Sequence, residues 1–112
     1  MTEETGDAGY RVGLFGSLDW EAPLPGLRSK TAILAGKKLR LVEFCAEFEE
    51  PTWCTRGHWG YVLSGAIEVD IAGAVHRFGA GDIVAIPPGE TTRHRHHGTL
   101  ETAVLFLVED ID

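Results

Sequence analysis

Positive charge is scarce in this sequence: ten Lys and Arg face seventeen Asp and Glu, for a formal net charge of -7. A surface of that sign repels phosphate backbones and anionic headgroups, so neither nucleic acid nor a membrane surface is an expected partner. Cysteine is scarce too, with only Cys45 and Cys54. Two thiols make no disulfide framework, and with 44% hydrophobic residues available for a core none is needed. No apolar run approaches the roughly 20 residues of a membrane helix. The acidic start "MTEETGDAGY" lacks the positive region and apolar run of a secretory signal, so a cytoplasmic location is expected. Helical periodicity is also missing: no segment repeats apolar residues at i, i+3, i+4 and i+7 over about three turns.

What is present suits one compact domain. The chain has 112 residues, of which 24% are charged, ordinary values for a globular protein. Residues 1 to 9 are polar and aperiodic and read as a disordered tail, leaving 10 to 112 as a single domain. "WEAPLPGLRSK", with two prolines and a glycine, reads as a connector that packs through Trp20 and Leu24. Beyond it come short runs rich in Val, Ile, Leu and Phe, each bounded by Gly, Pro or Asp: "KTAILA", "KKLRLVEFCAEFEE", "HWGYVLSGAIEVDIAG", "AVHRFGAGDIVAIP" and "LETAVLFLVE". That rhythm indicates an all-β barrel or sandwich. "AIEVDIAGAVHRF" alternates, turns at Gly73 and resumes, the pattern of a hairpin. "DIVAIP" is apolar at every second and every intervening position, which predicts burial on both faces, inside a sandwich or at a subunit contact. Strands of this kind in so short a chain make a homodimer the expected assembly.

"GYVLSG", then "FGAGDIVAIPPGE", then a histidine resemble the two signature motifs of the cupin superfamily, in order and at about the right separation, over roughly Leu39 to Glu109. The resemblance implies a jelly-roll barrel, the double-stranded β-helix of small cupins, with a transition metal and a small-molecule ligand at its mouth. Counting back from Gly65, the positions that carry His, His and Glu in the usual first motif are Thr52, Cys54 and His58. In the second motif Gly81, Pro87 and Gly89 match, and the expected histidine falls on Thr92 by count or on His94 by chemistry, with two extra residues in "ETTRHRHHG".

The candidate ligands are therefore Cys54, His58 and His94, with His96 as a fourth. On a straight strand Cys54 and His58 would lie about 13 Å apart, so the chain between them has to bend, and Gly57 in "CTRGH" is where it can. His94 and His96 share one strand face, while Arg93, Arg95 and His97 share the other. Nitrogen and sulfur donors favour zinc, with iron, nickel, copper and manganese behind it. The plainer alternative makes Cys54 a small core residue, His58 a satisfied histidine and "RHRHH" a solvated loop. His76 and His97 read as surface residues. Glu43 would be an acid or base with a raised pKa if it faced the barrel, and a solvent-facing strand residue otherwise. Trp59 and Tyr61 alternate away from His58 and suit the outer sheet or a dimer contact. Arg93 and Arg95 could pair a carboxylate or keep a strand edge soluble. The chemistry such a centre could serve ranges over isomerisation, hydrolysis and oxygenation, and a metal-free binding barrel is the alternative.

Overall fold

The computed structural model describes residues 2–3, 13 and 15–111. Eight strands account for the architecture: β1 (Thr2–Glu3), β2 (Glu21–Leu24), β3 (Leu27–Leu34), β4 (Lys37–Phe44), β5 (His58–Ile71), β6 (Ala74–Gly79), β7 (Ile83–Ile86) and β8 (His94–Asp110). Among the described residues the only helical turns are Phe15–Ser17 and Glu90–Thr92, three residues each, and no helix is long and apolar enough to cross a membrane. The expected all-β fold is what forms. Of the expected tail, Thr2–Glu3 pair in parallel with Ala32 and Ile33. The rest of residues 1 to 9 lies outside the described residues.

Two long strands organise the barrel. β5 has 14 residues and β8 has 17, and they pair antiparallel along nearly their whole length, from Trp59 with Val108 to Ile71 with His94. The register shifts four times between Val62 and Val69, and there both strands bend. The first half of β5 carries β7 on its free edge, and the second half carries β6. The outer half of β8 continues into β4 and β3. One pair of strands thus belongs to both walls, and side chains that alternate inward from each wall meet between them. Val42, Val62, Ile67, Val69, Val84, Leu105 and Leu107 form the core of that layer. Gly65 permits the bend. Its φ is +76°, and a Cβ there would stand 2.0 Å from the Thr102 carbonyl oxygen.

Tight turns place the remaining strands. The predicted hairpin closes on Ala72 and Gly73, both at positive φ (51° and 97°), the geometry that matches strand twist in a two-residue loop. Asp70 Oδ1 accepts the Gly73 N–H at 2.8 Å and holds it.

One expectation is corrected and a second is narrowed. "WEAPLPGLRSK" is no connector: β2 and the start of β3 form a hairpin across Pro25 and Gly26. β2 pairs with β3 alone, and its register is irregular between Glu21 and Leu24. Such an edge strand tolerates Pro23, whose missing N–H takes no bond from a neighbour. Trp20 does pack, beneath Arg28 and Lys30 at 4.3 and 4.9 Å. Within the single chain β7 is buried on one face: Val84 and Ile86 point into the core, while Ile83 is 76% exposed, so of the two expected settings the sandwich interior is ruled out and the subunit contact is left for that face. The second wall does not cover it, because β7 hangs on the outer edge of β5.

Gly65→Ala is expected to lower the unfolding free energy by about 3 kcal/mol or more, since it combines left-handed backbone strain with a backbone clash. Urea denaturation followed by tryptophan fluorescence measures this, and an unchanged midpoint would contradict the bend described above.

Candidate metal centre

Cys54 sits opposite His94 in an isolated antiparallel bridge: the Cys54 N–H donates to the His94 carbonyl at 2.7 Å, and the His94 N–H returns to the Cys54 carbonyl at 2.9 Å. A directly opposed pair projects both side chains to one face. Residues 55 to 57 then leave the strand, and His58 opens β5 beside Ile86. This is the bend the spacing required, and it brings His58 Nε2 to 3.8 Å from Cys54 Sγ. Gly57 contributes through size instead of left-handed backbone: a Cβ on it would meet the Trp59 ring at 2.7 Å and Pro88 at 2.9 Å.

The donor atoms of Cys54, His58 and His94 all lie within 4.8 Å of one another. Each imidazole is held in one tautomer. His94 Nδ1 lies 3.1 Å from the Thr92 carbonyl, which can only accept, so Nδ1 carries the proton and Nε2 the lone pair. That Nε2 is buried and has no hydrogen-bond partner. Thr92, the position reached by counting the motif, is itself tied through Oγ1 to the Pro87 carbonyl and serves to orient His94. The two extra residues belong to the turn Glu90–Thr92.

His58 donates from Nδ1 to Glu109 Oε2 at 2.6 Å, which leaves its Nε2 directed at Cys54. Arg40 Nη1 holds the same carboxylate at 3.2 Å. Burial pushes the Glu109 carboxyl up, but the His58 hydrogen bond and the Arg40 charge outweigh it and leave it below the ordinary carboxylate range. A carboxylate behind an imidazole is the arrangement that fixes a metal-binding histidine and raises its basicity. Burial pushes the Cys54 thiol up, against a hydrogen bond from the Arg56 N–H. It also pushes the His94 imidazole down, keeping its lone pair available.

The donor set fits a divalent transition ion. A tetrahedral zinc, about 2.3 Å from sulfur and 2.0 Å from nitrogen, needs donors within about 4 Å, a separation that Sγ and Nε2 of His58 already meet. The orphaned Nε2 of His94 is the strongest sign, because an unmade buried acceptor costs about 1–3 kcal/mol that a bound cation removes.

Other candidates fall elsewhere. His96 is buried on the same face as His94, but it stands outside the three-residue group: its Nε2 lies 2.9 Å from Thr99 Oγ1, and its ring stacks on Phe44 at 4.8 Å. Thr52 is exposed. Glu43 faces away from the barrel and binds Arg28 at 2.6 Å. That hydrogen bond holds its carboxyl below the ordinary range, so the raised-pKa reading is overturned. Arg93 and Arg95 stack on Trp53 at 4.9 and 4.8 Å. His76 and His97 are exposed, as expected. Cys45 and Cys54 are both free thiols.

Two acidic residues were missed. Glu109 continues the inward row Ala103, Leu105, Leu107, but "TAVLFLVED" is apolar on both faces, so alternation alone did not show which face it joins. Glu50 lines the cavity and accepts the His96 N–H at 2.8 Å; nothing in "EFEEPTW" distinguishes it from Glu47 or Glu49. The cavity holds about 450 Å³ and is bounded by the three candidate ligands, Glu50, Arg56 and an otherwise largely apolar wall.

A family model described as a cupin domain matches residues 50–109. No curated protein matches the sequence. Among solved structures the chain is similar to KdgF from Halomonas sp., with 25% identity, a TM-score of 0.68, and coverage of 90% of this chain and 96% of that one. It is also similar to the polyketide cyclase RemF from Streptomyces resistomycificus, at 19% identity and TM-score 0.69, covering 91% of this chain and 80% of that one. FeII HppE aligns at 11% identity and TM-score 0.72, over 94% of this chain and 62% of its own.

In metal-free protein His96 generates a pH dependence. Burial lowers its pKa from 6.5 to about 4, so the unfolded chain takes up a proton in that window while the folded one does not. Stability is therefore full above pH 6.5 and falls toward pH 4, by on the order of 3 kcal/mol from this group. His96→Phe is expected to lose that much less across the same window in chelator-treated urea titrations. Parallel curves for parent and variant would contradict the assignment.

Proposed function

The chain belongs to the cupin domain family, and on that premise we propose that it binds one divalent transition ion through Cys54, His58 and His94 and holds a small polar molecule beside it. The observation that carries this reading is the buried, unpartnered Nε2 of His94 facing the other two donors. One thiolate and two imidazoles favour zinc over iron, nickel, copper or manganese. With three protein ligands and one open position, the ion supplies Lewis acidity and lowers the pKa of bound water toward about 7. The chain's part is to hold that set rigid: Glu109 and Arg40 fix His58, Thr92 fixes His94, and the backbone bridge fixes Cys54. Glu50, anchored on the His96 N–H, is the cavity carboxylate available for proton transfer in isomerisation or hydrolysis, or in oxygenation if the ion is iron. Two free thiols support a cytoplasmic location.

The outer face of β5 and β7 supports self-association. Trp59, Tyr61, Leu63 and Ile83 are exposed by 37%, 45%, 51% and 76%, and none carries a charge. A second copy of the chain is the proposed occupant, because this uncharged face is where two molecules of net charge -7 can approach. Sedimentation should show a dimer that Ile83→Asp converts to monomer. A concentration-independent parent monomer would remove this part of the proposal.

Metal content of tag-free protein tests the centre. About one ion per chain is expected in the parent, with loss in Cys54→Ala and His94→Ala and a ten- to hundredfold weaker affinity in Glu109→Gln. No ion after supplementation at neutral pH would favour the second reading, a metal-free binding barrel, which the preformed cavity of about 450 Å³ supports.

A further inference from the structure

The cavity has two chemically distinct ends, and β4 shows the gradient directly. Its inward residues are, in order, Lys38, Arg40, Val42 and Phe44, all of which line the cavity. Six residues of strand span about 20 Å, so this row runs most of the cavity's length, from cationic to aromatic. The candidate ligands sit toward the cationic end, since Arg40 and His58 share the Glu109 carboxylate. Arg56 lines the cavity as well, so over the whole lining three cationic side chains meet two carboxylates, Glu109 beside Arg40 and Glu50 on the His96 N–H. In a chain of net charge -7 that local excess is a reversal, and a bound divalent ion increases it.

The other end is built from rings. Phe44 and His96 stack at 4.8 Å with planes 20° apart, and Phe48 meets each of them, at 5.3 and 4.9 Å. Leu27 and Phe78 continue the wall. His96 belongs to this wall by its packing: its ring lies between Phe44 and Phe48, and its Nε2 stands 2.9 Å from Thr99 Oγ1. It lies two residues beyond His94, about 7 Å along the strand, a separation comparable to the length of a small ring with one polar substituent.

We infer that the cavity takes a small carboxylate with a planar, apolar body, its anionic group at the Lys38, Arg40 and Arg56 end and its body against Phe44, Phe48 and His96. The inference rests on the ligand-binding reading above and gives that site its ligand class.

Calorimetric titration of the full chain, loaded with one zinc, against acetate, benzoate and benzamide tests it. Benzoate is expected to bind at least about tenfold tighter than acetate, through burial of the ring, and at least about tenfold tighter than benzamide, through its charge. Phe44→Leu should weaken benzoate severalfold and leave acetate unchanged, whereas Lys38→Gln should weaken both acids. Equal affinity for acetate and benzoate, benzamide as tight as benzoate, or no binding of any of the three would overturn the inference. Failure of the metal reading shows separately, as protein that takes up no zinc. The same titrations on that protein still decide the ligand class, because the cationic side chains and the aromatic wall remain.

Discussion

Fourteen residues of β5 lie against seventeen of β8, and each end of that ladder delivers a side chain to the same point. At one end, one step past the Trp59–Val108 pair, His58 meets Glu109. At the other, Ile71 lies beside His94, whose free edge is taken by Cys54. Two ends of one ladder converge only because both strands bend between Val62 and Val69, where Gly65 accepts a left-handed backbone that a side chain would oppose. The cavity, the donor group and the separation of its polar and aromatic ends all follow from that folded ladder.

Electrostatics then make the donor group specific. Glu109 is buried at 4% exposure, a position where a carboxylate without partners would be costly. Arg40 and His58 supply the partners, and in doing so they set the tautomer of His58. The Thr92 carbonyl does the same for His94. Both imidazoles therefore present Nε2 inward, and an ion bound there would require neither ring to turn over. Among the described residues the one buried side-chain nitrogen or oxygen without a hydrogen-bond partner is His94 Nε2, so that cost is concentrated where a bound cation would remove it.

Much of this was legible from residue pattern. Alternation placed His94 and His96 inward and Arg93 and His97 outward; it also turned Trp59 and Tyr61 away from the site. The Gly73 hairpin and the need for a bend within "CTRGH" were equally readable, because each is a matter of local geometry. What was not legible depends on partners remote in sequence. Glu43 and Glu109 are both acidic residues in apolar strands, yet Arg28 draws one outward and His58 with Arg40 engages the other within the barrel. β2 was hidden by Pro23 and by Pro25 in the turn that follows, since composition does not reveal that a strand lies at an edge. The apolar run "DIVAIP" did not show whether its second face lies inside a sandwich or at a subunit contact; in the chain Ile83 is exposed because β7 occupies the outside of β5.

By itself the sequence determined the all-β class, the jelly-roll resemblance and a short list of candidate donors, Cys54, His58, His94 and His96, because periodicity and motif order depend only on neighbours along the chain. Only the tertiary structure decided that His96 leaves the donor group for Thr99 and the phenylalanines, that Glu109 stands behind His58, and that the cavity runs from cationic to aromatic. Apart from the local His96–Thr99 bond, those outcomes are contacts between residues dozens of positions apart. Their distances are set by strand register and by the bend of β5 and β8, which no local pattern encodes.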